Sequence, residues 1–200
     1  EIVPQVRLTE IFRQAQQSLI VTNAHAIVHG QMPDLKRHDN DFFFLKRELA
    51  EQVRNTTLDL VATRLPKSYG YSPTTDIQVI VPTRIGAVGA NTLNQMLQQT
   101  LNPPSPQKSE FENNGRKFRV GDKVMQIRNN YQMEWEIRGI NGIVAERGMG
   151  VFNGDLGMIR SINPYTEVIT VEFEEGKEPG TVMKDVLKAC KKVEPDCEIA

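Results

Sequence analysis

The sequence predicts two architectures in series: an α/β half with parallel strands and crossover helices over residues 1–106, and a small all-β barrel over residues 107–178. Three observations carry that division. Strand-like and helix-like patterns alternate through the first hundred residues, as a parallel sheet with crossover helices requires. Asn102-Pro103-Pro104-Ser105-Pro106 then interrupts the helical periodicity and opens a linker. Beyond it the pattern changes to short β-favouring runs separated by turn residues. Residues 179–200 fit neither half and read as a Lys-rich, helix-like tail.

In the first half, Val3 to Leu8 is short, apolar and β-compatible. A helix follows, with Leu19, Ile20, Ala24, Ile27 and Val28 near helical spacing. Gly30 is placed to end it and Pro33 bars its return. Asp41-Phe42-Phe43-Phe44-Leu45 is dense in apolar residues and predicts a buried strand. A second helix carries Leu49, Val53, Leu60 and Val61 on one face and is expected to break at Pro66. Asp76 to Pro82 predicts a strand, apolar through its second half as a parallel core strand should be. A third helix is expected over residues 87–101, with Ala90, Leu93, Leu97 and Leu101 on its buried side.

In the second half, Val120, Val124 and Ile127 lie in a β-favouring run after the Gly121-Asp122 turn. Asn153-Gly154-Asp155 is the strongest turn signal in the chain, because Asn and Gly accept positive φ at low cost. Val168 to Phe173 alternates at period two and closes the barrel. The Gly-studded stretch 139–150 predicts a long exposed hairpin or loop, with Trp135 before it as a packing residue.

Composition narrows the function. The formal net charge of −1 is not that of a dedicated nucleic-acid-binding module, so any phosphate binding falls to local charge. No apolar run is long enough to cross a bilayer, and no signal-peptide pattern opens the chain, so no membrane partner and a cytoplasmic location are expected. Cys190 and Cys197 read as free thiols. His25 and His29 have the i, i+4 spacing of a zinc pair but lack a third ligand, and no metal site is expected. The chain opens on Glu1-Ile2-Val3-Pro4 without an initiator Met and is expected to be part of a longer protein.

Three stretches can carry chemistry. Arg13 follows the first expected strand and precedes a helix, the edge of an open α/β sheet where phosphates bind. An arginine there fits either a transferred phosphoryl group or a salt bridge at the helix start. Pro82-Thr83-Arg84-Ile85-Gly86-Ala87-Val88-Gly89-Ala90 turns from a strand into a helix, and its small residues suit either a close backbone approach to phosphate or simply a tight turn. It is not a P-loop, because no Gly-Lys-Ser/Thr closes it. On the barrel, Lys123, Arg128, Asn129 and Asn130 form a polar, partly basic rim, with Tyr131, Trp135 and Phe152 as aromatics. Against DNA there, Phe152 is expected to fill the barrel core, and Asp122 and Asp155 to repel phosphate.

The ordered strings Gly121-Asp122-Lys123-Val124-Met125-Gln126 and Phe152-Asn153-Gly154-Asp155-Leu156-Gly157-Met158-Ile159 resemble the SH3-like barrel inserted in the second motor domain of RecD/TraA-type superfamily 1B DNA helicases. The string from Leu8 to Gly30 is similar to the RecD-like motif that supplies an arginine to ATP, and Gly86-Ala87-Val88-Gly89…Leu93-Asn94 to a motif on the single-stranded DNA track. The resemblance covers residues 1–175 and implies a partial RecA-like parallel sheet plus an SH3-like barrel. It implies Arg13 as the catalytic arginine, Arg13 and Gln14 at ATP, and Thr83, Arg84, Asn94, Lys123 and Asn129 at DNA. In the full-length parent it implies ATP, Mg2+, single-stranded DNA, a first motor domain in the same chain and other recombination or repair subunits. The P-loop is expected upstream of Glu1, so residues 1–200 alone are expected to bind no nucleotide cofactor and to hydrolyse no ATP. Residues 176–200 depart from the family pattern, lacking its Thr-x-His-Lys-Ser-Gln-Gly-like motif and its late arginine motif. A nonenzymatic adaptor whose barrel binds a protein partner is the rival reading.

In a parent chain carrying a P-loop, Arg13→Ala is expected to lower ATP turnover by on the order of three decades with nucleotide binding largely kept. Steady-state hydrolysis beside a nucleotide-binding titration checks this, and wild-type turnover removes Arg13 from the site.

Overall fold

Ser18 starts the first helix, α1 (Leu19–Val28), by accepting the Val21 N–H on its hydroxyl at 3.2 Å. The computed structural model describes residues 17–38, 41–113, 115–138, 143–173, 185–191 and 197–199. It divides into two compact units, Glu1–Glu48 and Leu49–Ala200. The strand expected over Val3 to Leu8 lies outside the described residues, as do Arg13 and Gln14.

In the first unit a distant residue completes the α1 cap. Asp41 Oδ2 accepts the Ser18 hydroxyl at 2.5 Å, and Oδ1 accepts the Leu19 and Ile20 N–H groups at 2.8 and 3.3 Å. The Ser18 hydroxyl, followed by those backbone donors, holds the Asp41 carboxyl below its ordinary value. Buried Asn23 clasps Asp34, donating to its carbonyl at 3.1 Å and accepting its N–H at 2.8 Å. Gly30, at φ 72°, ends the helix as the sequence predicts. The run after Asp41 departs from expectation. Residues 42–48 form no strand, and Phe43, Phe44 and Leu45 are exposed. An extended segment becomes a buried strand only beside a hydrogen-bonded neighbour, and the described residues of this unit offer none.

The second unit opens with a helix that runs through Pro66. Helix α2 (Ala50–Asp59) passes into a π-helical turn, Leu60–Arg64, and then α3 (Leu65–Tyr69). Proline lacks an N–H and crowds the carbonyl four residues back, and the widened turn accommodates both defects. Gly70, at φ 73°, supplies the stop. Residues 77–81 join no strand pair among the described residues, and Ile80 is 88% exposed. All strand pairs among the described residues are antiparallel, so the expected parallel sheet is not shown. Helix α4 (Ala90–Leu101) follows, with Leu93 buried on its inner side.

The remainder is a hairpin and a seven-stranded antiparallel sheet. The hairpin joins β1 (Glu110–Asn113) to β2 (Arg116–Arg119). The sheet uses β3 (Lys123–Gln126), β4 (Asn130–Arg138), β5 (Val144–Val151), β6 (Leu156–Asn163), β7 (Val168–Phe173), β8 (Asp185–Lys191) and β9 (Cys197–Ile199). Its order is β5-β4-β8-β7-β6-β3-β9. Phe118, Val124, Val151, Ile159, Ile162, Ile169, Val171 and Phe173 form the core, with Phe111, Val120 and Met133 packed on it. The period-two pattern of β7 puts Ile169, Val171 and Phe173 inward as expected. The helix-like reading of the tail is corrected: residues 185–191 lie between β4 and β7, and residues 197–199 pair with β3. Their weak local pattern gives way to the pairing edges that these strands offer.

The stretch read as a hairpin or loop is the second arm of a hairpin: β5 pairs antiparallel with β4. Trp135 lies opposite Gly148, where an added Cβ would come within 2.2 Å of the indole. The glycine therefore makes room for the ring, and Trp135 is a packing residue. Gly148→Ala should cost about 1–3 kcal/mol through overpacking. A urea melt checks the cost, and a changed Trp fluorescence maximum before the transition reports the displaced indole.

Candidate nucleic-acid interface

The loop from Thr83 to Gly89 is built by its own backbone. Ala90 N–H donates to the Thr83 carbonyl at 3.0 Å and Asn91 N–H to the Arg84 carbonyl at 3.1 Å. Thr92 Oγ1 donates to the Gly86 carbonyl at 2.8 Å. A Cβ on Gly89 would sit 2.8 Å from the Arg84 carbonyl oxygen, so glycine is required for the chain to fold back. The Ala90 and Asn91 N–H groups are spent inside the loop and do not face outward as a phosphate cradle would need. Thr83 and Arg84 are exposed on this loop, at the N-terminal end of α4.

Asn94 lies further along α4, at a cleft it shares with Ile77, Gln78, Leu97 and Lys123. Lys123 Nζ donates to Gln78 Oε1 at 2.9 Å and points to the Ile77 carbonyl at 3.4 Å. The structure thus brings Asn94 and Lys123 to one cleft and keeps Thr83 and Arg84 together on the loop. Asn129 is elsewhere, in the connection from β3 to β4.

The far end of α4 is fixed by a buried polar cluster that the sequence reading missed. Asp122 is 4% exposed. Its carboxylate accepts Gln98 Nε2 at 2.6 Å, Asn102 Nδ2 at 2.7 Å and the Arg119 N–H at 2.7 Å. The same amides donate to the Lys117 carbonyl at 2.9 Å and the Val120 carbonyl at 3.1 Å. The Arg119 side chain, almost wholly buried, donates to the Asn102 carbonyl and, at 2.6 Å, to Glu110. Lys108 Nζ donates to Asn102 Oδ1. The available signal was Gln98 and Asn102 at i, i+4 on a face otherwise marked by leucines. Asp122 does not stand against phosphate on the surface, because it faces α4.

The turn at Asn153-Gly154 is clamped from both sides. Asn129 Oδ1 accepts the Asn153 N–H at 2.9 Å, and its Nδ2 donates to Tyr131 Oη at 3.2 Å. Asp155 Oδ2 accepts the Phe152 N–H at 2.8 Å. Gly154 takes φ 96°, as the turn signal predicts. Phe152 is corrected: it does not fill the core but is 47% exposed, with Tyr131 at 68% beside it. The two rings meet edge to face at 5.8 Å and 72°. The His25 and His29 rings stack at 6.2 Å, and no group of three metal-ligating side chains occurs among the described residues. No helix among them is long and apolar enough to cross a membrane.

Asp122 has a testable pH signature. Burial pushes its carboxyl above the ordinary value of 3.8, opposed by the Asn102, Gln98 and Arg119 donors. With the folded value raised, the folded state holds more protons than the unfolded state between the two values. Stability from this group therefore falls as pH rises through the window above 3.8. Asp122→Asn carries no such titration, so wild-type stability relative to the variant should decline as pH rises above 3.8. Asp122→Ala should cost on the order of 3 kcal/mol or more, since buried donors lose their acceptor. Paired urea melts across that range check both, and a pH-independent difference removes the titration.

Residues 93–173 match the ATP-dependent RecD-like DNA helicase SH3 domain. The match begins inside α4, the helix whose Gln98 and Asn102 reach Asp122. The chain is also 27% identical over 174 residues, 87% of its length, to the ATP-dependent RecD2 DNA helicase of Deinococcus radiodurans. It spans 20% of the length of that relative. Over residues 93–173 the chain matches the SH3 domain of the RecD-like DNA helicases, and over most of its length it is similar to a RecD2 DNA helicase.

Proposed function

We infer that the chain serves in an ATP-dependent DNA helicase as part of the second motor domain with its SH3-like insertion. The observation that carries this reading is the matched SH3 domain joined, through α4, to a loop that exposes Thr83 and Arg84. In this reading segment 77–81 is a strand of a RecA-like parallel sheet completed by other parts of the parent. ATP with Mg2+ binds between two motor domains, where Arg13 answers the γ-phosphate and Gln14 lies beside it. ATP supplies the phosphoryl transfer whose closing and opening steps move the parent along single-stranded DNA and unwind a duplex.

Thr83 and Arg84 meet the DNA backbone at the loop, and Asn94 and Lys123 meet it at the cleft. Arg84 and Lys123 are the cations in this role, one at the loop and one at the cleft. Asn129 acts at DNA through the turn it clamps. The first motor domain and other recombination or repair subunits are the protein partners.

The 200-residue chain should then bind single-stranded DNA with Kd no tighter than about micromolar at physiological salt, with a shallow salt dependence. Each phosphate neutralised on a single strand adds roughly −0.7 to the slope of log K against log salt, so two or three contacts give about −1.5 to −2. Arg84→Ala should weaken binding and flatten the slope by about 0.7, equally on unrelated sequences, because backbone contacts carry no base information. Salt titrations on two oligodeoxynucleotides decide the matter. Absence of binding, or binding indifferent to salt and to Arg84→Ala, favours the adaptor reading.

A further inference from the structure

We propose that Tyr131 and Phe152 form a base-stacking platform for single-stranded DNA on the SH3-like sheet, a role that rests on the DNA reading above. The first ground is exposure without looseness. Both rings are exposed, at 68% and 47%, yet hydrogen bonds hold the Tyr131 hydroxyl and the Phe152 main chain. Tyr131 Oη receives Asn129 Nδ2, and the same Asn129 holds the Asn153 N–H next to Phe152. The Phe152 backbone N–H is held by Asp155, whose own N–H returns to the Phe152 carbonyl at 3.1 Å. An aromatic side chain kept in place in this way loses little freedom on binding.

The second ground is the shape of the pair. Gly150 sits at φ 102°, and an added Cβ would stand 3.1 Å from Phe152 Cζ. The Phe152 ring therefore lies against a bare backbone on one side and is exposed elsewhere. Tyr131 meets it edge to face at 5.8 Å, leaving no slot between the rings. A proline-rich peptide needs such a slot between aromatics, whereas a nucleobase needs only an open ring surface. The surround is polar: Asn129 and Asn153 are exposed there, and Arg128, the neighbour of Asn129 in the chain, is exposed too. Exposed aromatics with amides and a cation suit bases and phosphates better than an apolar protein face.

The test uses the 200-residue chain and two probes of equal length, an ordinary single-stranded oligodeoxynucleotide and its abasic counterpart. Stacking of one base is lost with each ring, so Tyr131→Ala and Phe152→Ala should each weaken binding of the ordinary oligonucleotide about five- to a hundredfold. Neither should change binding of the abasic strand. Phe152→Trp should keep the affinity and show fluorescence quenching on the ordinary strand alone, which separates loss of stacking from loss of fold in the alanine variant. If the alanine variants bind the ordinary strand like wild type while Arg84→Ala still weakens it, the platform is overturned and the DNA reading stands. If neither strand binds any of the proteins, both fall. If a proline-rich peptide, and not DNA, quenches the indole fluorescence introduced by Phe152→Trp, the surface serves a protein partner and the proposal is overturned.

Discussion

One carboxylate organises the second unit. Asp122 follows the Gly121 turn and takes donors from Gln98 on α4, from Asn102 at the end of that helix and from the Arg119 backbone. Its own backbone carbonyl accepts the Ile159 N–H at 2.9 Å, while Gly121 N–H donates to the Ile159 carbonyl at 2.8 Å. The same residue thus fixes β3 against β6 through its main chain and the helix through its side chain. A buried carboxylate survives only where donors replace the water it has lost. The polar residues of α4 and the hairpin arginine therefore depend on one another. An apolar replacement of one member leaves the others short of partners, so the cluster specifies a single docking of α4.

The sequence made the all-β half legible where the signal is local. The Asn153-Gly154 turn, the alternation in β7 and the glycine stop of α1 need no long-range information, and each is as read. Reading failed where a residue's role depends on a distant neighbour. Asp41 looks like the first residue of a strand, yet it caps a helix that begins 22 residues earlier. Phe152 looks like core because phenylalanine usually is, yet the ring follows from the turn geometry of residues 153–155 and from Gly150. Residues 185–191 have a weak pattern of their own and become a strand because β4 and β7 are there to pair with. The segment 77–81 is the converse case. Its apolar pattern is that of a core strand, but pattern alone supplies no hydrogen-bond partner.

The candidate site shows the same division. Thr83 and Arg84 were read from a helix-start motif, and both are exposed on the loop before α4. Lys123 and Asn129 were read from type and position, which say nothing about prior commitments. Lys123 is bonded to Gln78, and Asn129 bridges Tyr131 and Asn153. A lysine's charge reaches beyond its own hydrogen bonds, so Lys123 still contributes to the potential of the cleft. Asn129 has no charge to lend, and its amide is engaged at both ends. Its effect on a ligand therefore passes through the rings and the turn that it positions.

Helix α4 connects these parts mechanically. Its first turn is tied to the Thr83 and Arg84 carbonyls, and its last residues are tied to Asp122, Lys117 and Val120. Twelve residues make a rod of about 18 Å. Both ends are held by directional hydrogen bonds rather than by sliding apolar contact alone. Moving the loop against the sheet therefore requires bending the helix or exposing a buried carboxylate. Of these, exposing Asp122 breaks several hydrogen bonds at once and is the more costly. The loop, the helix and the sheet consequently respond as one body, with the fixed point at the Asp122 end of the helix.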